Sequence, residues 1–172
     1  MRIFTDSRTL INRKTKGIEA LSNYESYAHA VDGFSHKKLR TLRVVMVGAG
    51  GIGGEIGEGG VRKGWGHLTL IDHDKVELTN LNRQRFSKQD LGKYKAVQLA
   101  KSLSKDGFFN TGITGIPFTF EEAAERKLNL TCDVAICGVD SSSTQIVIAA
   151  YYYKLGIPVI FTAVSEKAAN GY

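Results

Sequence analysis

From residue 43 onward, short apolar runs alternate with stretches whose apolar residues recur every three to four positions. The runs Arg43–Gly48, His67–Asp72, Thr111–Ile116, Cys132–Cys137 and Ile157–Thr162 have the length and composition of strands. Between them, helices are predicted over Ile52–Lys63, Lys93–Leu103, Phe120–Lys127 and Thr144–Leu155. In the second of these, Ala96, Val97, Leu99, Ala100 and Leu103 fall on one face. Thr119, with Glu122 three residues on, reads as a capping box opening the third. Gly57, Gly59 and Gly60 interrupt the first, each costing about 1 kcal/mol against Ala, so packing must hold that helix. Residues 1–40 are weakly periodic, with one helix predicted over Ile18–Val31 and Lys37-Lys38 leading into the first strand. Strand alternating with helix predicts an α/β fold: a Rossmann-like, doubly wound, mainly parallel sheet with helices on both faces.

In such a fold the ligand crevice lies at the carboxyl ends of the strands. Three segments reach that end. The first is the glycine turn Gly48-Ala-Gly-Gly-Ile-Gly53, joining a strand to a helix. Glycines let backbone approach a phosphate, and the helix start offers unpaired N–H groups and a positive dipole end. The second begins at Asp72, placed to accept hydrogen bonds from ribose hydroxyls or to serve as a turn residue. Asn80, Arg83 and Gln84 follow, with Asn80 and Arg83 as i, i+3 neighbours on a short helical turn anchored by Leu78 and Leu81. A guanidinium binds phosphate bidentately. Lys95 opens the next helix, where a lysine opposes the dipole; it reads either as solvated surface or as a mobile charge reaching a β- or γ-phosphate. The third segment is Gly138 to Asp140. Asp140 reads either as a Mg²⁺ ligand against phosphate oxygens or as the N-cap of the following helix.

The net charge of +6 is uneven. Residues 1–43 hold nine Lys/Arg and four Asp/Glu, and the remainder hold fourteen and thirteen. Residues 1–42 therefore form a basic N-terminal segment, partly helical, which is either a solvated arm or a surface for an acidic partner, phosphate or RNA. No apolar run approaches the ~20 residues needed to span a bilayer, and no signal peptide is evident, so a cytoplasmic setting without membrane is expected. The two cysteines, Cys132 and Cys137, lie five apart on one predicted strand, which puts them on opposite faces, unpaired and buried.

Taken together, Gly48-x-Gly-Gly-x-Gly53, Asp72-x-Asp74, Asn80-Leu-x-Arg-Gln84, Gly92-x-x-Lys95 and Asp140 resemble, in order and spacing, the ubiquitin-activating-enzyme-like adenylating family, whose bacterial members include ThiF, MoeB and HesA. The likeness covers roughly residues 43 to 165. It implies that residues 43–172 are an ATP-binding adenylation domain, C-terminally incomplete relative to the family. It also implies that Gly48, Gly50, Gly51, Gly53, Asp72, Asn80, Arg83, Gln84 and Lys95 bind ATP. Arg83, Lys95 and Asp140 would be catalytic, with Mg²⁺ held by Asp140. The implied reaction joins the C-terminal carboxylate of a ubiquitin-fold carrier protein to AMP, in a homodimer or heterodimer. Alternatives are a tRNA-modifying dehydratase of the same family, a non-catalytic partner subunit, and an NAD-dependent oxidoreductase, which would leave Arg83, Gln84 and Lys95 unexplained. Two departures stand out. Where members carry Asp-Asn and then Arg, this chain has Asp140-Ser-Ser-Ser-Thr-Gln145. No Arg-Tyr-x-Arg-Gln motif occurs near the N-terminus, where Arg8 and Arg13 are candidates by position. The thioester cysteine and paired CxxC zinc ligands of the family's later part are absent from these residues.

Overall fold

The computed structural model describes residues 3–6, 35–106 and 110–162. The elements are β1 (Phe4–Asp6), α1 (His36–Thr41), β2 (Arg43–Val47), α2 (Gly51–Lys63), β3 (His67–Ile71), α3 (Lys95–Asp106), β4 (Gly112–Ile116), α4 (Phe120–Glu125), β5 (Val134–Cys137), α5 (Ser142–Lys154) and β6 (Val159–Phe161). They build one six-stranded sheet in the order β1-β4-β3-β2-β5-β6. Every pairing is parallel except β1 with β4. The five predicted strands and four predicted helices after residue 43 are all present, and the predicted Rossmann-like α/β class holds.

Alternation along β2 separates two cores. Val44 and Met46 pack with Leu68, Leu70 and Ile113 beneath Val61 of α2 and Leu99, Ala100 and Leu103 of α3. Val45 and Val47 face the other way, toward Phe120 and Ala123 of α4 and Ile148 and Tyr152 of α5. Helices thus cover both faces, and each buried large apolar side chain contributes roughly 1.5–3 kcal/mol. The interrupted helix α2 is held by close approach: a Cβ at Gly60 would lie 2.3 Å from the Trp65 ring. The capping box of α4 forms as predicted, with Glu122 N–H donating to Thr119 Oγ1 at 3.1 Å and Thr119 N–H to Glu122 Oε2 at 3.0 Å.

Several expectations change. Strand β1 was not foreseen; it joins the edge antiparallel, Phe4 opposite Gly115. Lys37 and Lys38 belong to helix α1, capped by Ser35, rather than to a lead-in. Cys132 precedes β5, so strand alternation does not apply to it. Both cysteines are buried, free and in the same core cluster, not on opposite faces. Leu78 is 70% exposed and anchors nothing; Val76 and Asn80 are the buried residues there. The helix predicted over Ile18–Val31 lies outside the described residues, as do Arg8 and Arg13. No helix among the described residues is long and apolar enough to cross a membrane.

Candidate functional site

The chain leaves β2 for β3 on one side and places β5 on the other, so the sheet's switch point falls between β2 and β5. An open cavity of about 830 Å³ lies there, at the carboxyl ends of the strands. The volume suits a small-molecule ligand.

One wall is backbone. Gly48 has φ of 99°, and its N–H donates to Ile71 O at 2.8 Å. A Cβ at Gly48 would lie 2.9 Å from Gly138 O. Gly53 packs so closely under the turn that a Cβ there would lie 2.1 Å from Gly48 O. Helix α2 begins at Gly51 with no side-chain cap, and its first residues, Gly51 and Ile52, line the cavity.

Asp72 ties this turn to the β3 loop. Its Oδ2 accepts from Ala49 N–H at 2.7 Å and its Oδ1 from Asp74 N–H at 2.8 Å. Burial raises its carboxyl above the usual range, opposed by those two donors and by the Lys95 charge. Lys95 is only 12% exposed, and its Nζ sits 2.9 Å from Asp74 Oδ2. That pairing answers the oddity of a lysine at a helix start. Asp72, His73 and Asp74 also have ligand atoms within 4.8 Å of one another, and the ammonium of Lys95 already supplies a cation there.

The segment between Val76 and Lys93 is a loop closed at its neck: Val76 N–H donates to Lys93 O at 2.8 Å and Gly92 N–H to Val76 O at 2.9 Å. It folds back over the glycine turn. Arg83 O lies 3.4 Å from where a Gly51 Cβ would be, and Gln84 Nε2 lies 3.7 Å from the same point at Gly50. The Arg83 guanidinium donates to Thr79 O at 2.6 Å and lines the cavity. Gln84 Oε1 is buried with no partner. A buried amide group left unpaired costs about 1–3 kcal/mol, and turned over, the same amide offers NH₂ donors to an anion.

The third wall is built from side chains. Helix α5 is capped by Ser141, whose Oγ accepts from Thr144 N–H at 3.4 Å. Asp140 is therefore not the cap, and its exposed carboxylate has no hydrogen-bond or ion-pair partner among the described residues. Gln145 donates from Nε2 to Val139 O at 2.8 Å.

Of the residues singled out from the sequence, Gly48, Gly50, Gly51, Asp72, Arg83, Gln84, Lys95 and Asp140 line one cavity. Gly53 and Asn80 do not. Gly53 shapes the turn from beneath. Asn80 is 6% exposed, and its Oδ1 accepts from Glu77 N–H at 3.0 Å, closing its own turn. Sequence reasoning missed the wall at Phe118, Thr119 and Glu121, which follows β4. The rule that ligands gather at strand carboxyl ends would have included it.

Comparison with known proteins matches this architecture. The ThiF family model matches residues 24–171. Ubiquitin-like modifier-activating enzyme 5 of Rattus norvegicus is 33% identical over 149 residues, 80% of this chain and 37% of that protein. Sulfur carrier protein ThiS adenylyltransferase of Bacillus subtilis is 30% identical over 129 residues, 74% of this chain and 38% of that protein. The chain thus spans under two-fifths of the length of these relatives. Among solved structures, E. coli MccB with ATP gives a TM-score of 0.66 at 28% identity, covering 74% of this chain and 38% of that one. E. coli tRNA N6-threonylcarbamoyladenosine dehydratase, TcdA, in complex with ATP gives 0.71 at 24% identity, covering 83% and 59%, a likeness of fold. The family model spans well over half of the sequence, and the chain belongs to the ThiF family.

Proposed function

We propose that this crevice binds ATP with Mg²⁺ and that the protein adenylates the C-terminal carboxylate of a ubiquitin-like or sulfur-carrier protein. The observation that carries the reading is the convergence of Arg83, Gln84 and Lys95 on a cavity that already holds a glycine turn and Asp72. A dinucleotide needs the turn and the acid; it does not need three further groups suited to phosphate. The names of the modifier-activating and ThiS-adenylating relatives support the substrate class.

In this reading Asp72 accepts from the ribose hydroxyls, and the α2 N-terminus with Gly50 and Gly51 receives a phosphate. Arg83, Gln84 and Lys95 take the distal phosphates, with Lys95 passing from Asp74 to an anion. The carrier carboxylate attacks the α-phosphorus, the bond to the bridging oxygen breaks, and pyrophosphate leaves with that electron pair. No general base is needed, because the carboxylate is already ionised. Positioning and charge stabilisation supply the catalysis. The unpaired Asp140 carboxylate is the candidate Mg²⁺ ligand, and the metal would offset phosphate charge.

Calorimetry with ATP·Mg²⁺, AMP and NAD tests the nucleotide. ATP binding stronger than NAD binding is expected, and tight NAD binding without ATP binding overturns the proposal. Pyrophosphate exchange should depend on a ubiquitin-fold carrier with a free C-terminal carboxylate. Exchange that persists with a C-terminally amidated carrier overturns the substrate assignment.

A further inference from the structure

Among the described residues, the stretch 77–87 carries Arg83 and Gln84 yet makes hydrogen bonds and ion pairs to the body of the domain through one side chain, Arg85. Its other polar contacts stay within the 76–93 loop: Gln84 N–H to Asn80 O at 2.9 Å, Phe86 N–H to Gln84 O at 2.8 Å, Arg83 to Thr79 O, and Ser87 N–H to Asp90 Oδ2 at 2.8 Å. Arg85 reaches out of the loop to helix α2. Its Nη1 donates to Glu58 Oε2, and its Nε lies 4.0 Å from Glu55 Oε1. Glu58 is only 14% exposed and Arg85 32%, so water screens this pair less than a surface one. The other oxygen of Glu58 takes Arg62 Nε at 2.7 Å, which fixes the carboxylate on α2. The stem of Arg85 lies against Gly54, where a Cβ would stand 3.2 Å from Arg85 Cγ. Phe86 adds an apolar contact to the core.

We propose that Arg85 is a positioning residue, a clasp on Glu58 that holds the Arg83–Gln84 arm against the glycine turn for the phosphates of the nucleotide. The inference rests on the ATP reading above for its ligand. The neck of the loop at Val76 and Lys93 fixes where the loop starts and ends, but not how its tip lies. The tip is the part that bears the phosphate-binding groups, and the clasp is next to them in sequence. Because Gly54 has no side chain, the Arg85 stem can lie flat on α2 and bring Gln84 beside Gly50.

Arg85→Met keeps the stem and removes the charge. Glu58→Gln removes the partner while leaving Arg85. Arg85→Lys restores a cation. Each variant is titrated with ATP and with AMP, alongside thermal melting. ATP affinity is expected to fall about tenfold in Arg85→Met and Glu58→Gln, with AMP affinity changed by less than about twofold and melting close to wild type. Arg85→Lys should recover most of the loss. ATP affinity within about twofold of wild type in Arg85→Met, or equal losses for ATP and AMP, overturns the proposal. Amide hydrogen exchange over residues 77–92, read without nucleotide, separates this inference from the one beneath it. Faster exchange there in Arg85→Met, with the sheet unchanged, supports the clasp, and unchanged exchange overturns it. A wild-type chain that binds no ATP would overturn the nucleotide reading and leave the clasp to be decided by exchange alone.

Discussion

The β2–α2 turn and the β5–α5 turn meet across the switch point, yet one is made of backbone and the other of side chains. On the first, Gly48 and Gly53 exclude a Cβ by contact with Gly138 O and Gly48 O, and the bond from Ala49 N–H to Asp72 locks the turn to β3. On the second, Asp140, Ser141 and Thr144 present side chains to the cavity over a helix capped by Ser141. The first surface has no room for a side chain at Gly48 or Gly53. The second presents polar side chains on a frame braced by the bond from Gln145 Nε2 to Val139 O. Form is set on the glycine side and chemistry on the α5 side. The substitutions that follow test this division, beginning with the largest expected effect.

Gly53→Ala strikes the backbone wall at its tightest point. A methyl group 2.1 Å from Gly48 O has no flexible side chain to displace, so the turn itself must move. A loss of about 3 kcal/mol is expected in chemical denaturation, at the upper end for an overpacked site. Nucleotide binding should fall with it. A loss below about 1 kcal/mol would show that the turn yields, and the contrast between the walls would disappear.

Arg83→Ala removes a charge from the arm that crosses the backbone wall without touching that wall's geometry. ATP binding should weaken by on the order of 1.5–3 kcal/mol, the range for a hydrogen bond to a charged group. AMP should suffer less, because Arg83 is assigned to the distal phosphates. Equal losses in parallel titrations would move Arg83 to the α-phosphate end.

The same division explains what could be read from the sequence. The strand and helix order, the glycine turn, Asp72 and Lys95 were legible because each follows from local periodicity or from a strand end. Lys95 also carried its own clue, a cation set against a helix dipole. The failures are tertiary. Leu78 looked like an anchor because it is apolar, but its place on the turn points it outward, and Asn80 is buried in its stead to close the turn. Cys132 broke the alternation rule because β5 starts two residues later, at Val134. The Phe118–Glu121 wall offered no motif, since its part in the cavity comes from the register of β4 beside β3. Arg85 passed unnoticed because its partner Glu58 lies 27 residues away on another element.

Ser141→Ala tests how much the side-chain wall depends on its cap. The cap bond is long, at 3.4 Å, and the neighbouring Ser143 Oγ and Thr144 Oγ1 lie 2.9 and 3.2 Å from the same hydroxyl. A loss of about 1 kcal/mol is expected in thermal or chemical unfolding, the ordinary value for an N-cap hydroxyl. A loss as large as that of Gly53→Ala would mean that both walls are equally rigid.

Asp140→Asn should have the smallest effect on stability and the clearest effect on chemistry. The cap belongs to Ser141, and the Asp140 carboxylate has no hydrogen-bond or ion-pair partner among the described residues, so nothing in the fold depends on its charge. The change should leave the unfolding free energy within about 0.5 kcal/mol of wild type, as for an exposed site without partners. A metal ligand is different. An amide keeps an acceptor oxygen but loses the negative charge that offsets Mg²⁺, so ATP affinity should become less responsive to magnesium. Melting and a magnesium titration of ATP binding on the same variant separate the two effects. Unchanged melting with a weakened magnesium response supports a carboxylate free to take a metal. A wild-type magnesium response would remove Asp140 from the metal site, and a lowered melting point would return it to the fold, against the cap geometry of Ser141.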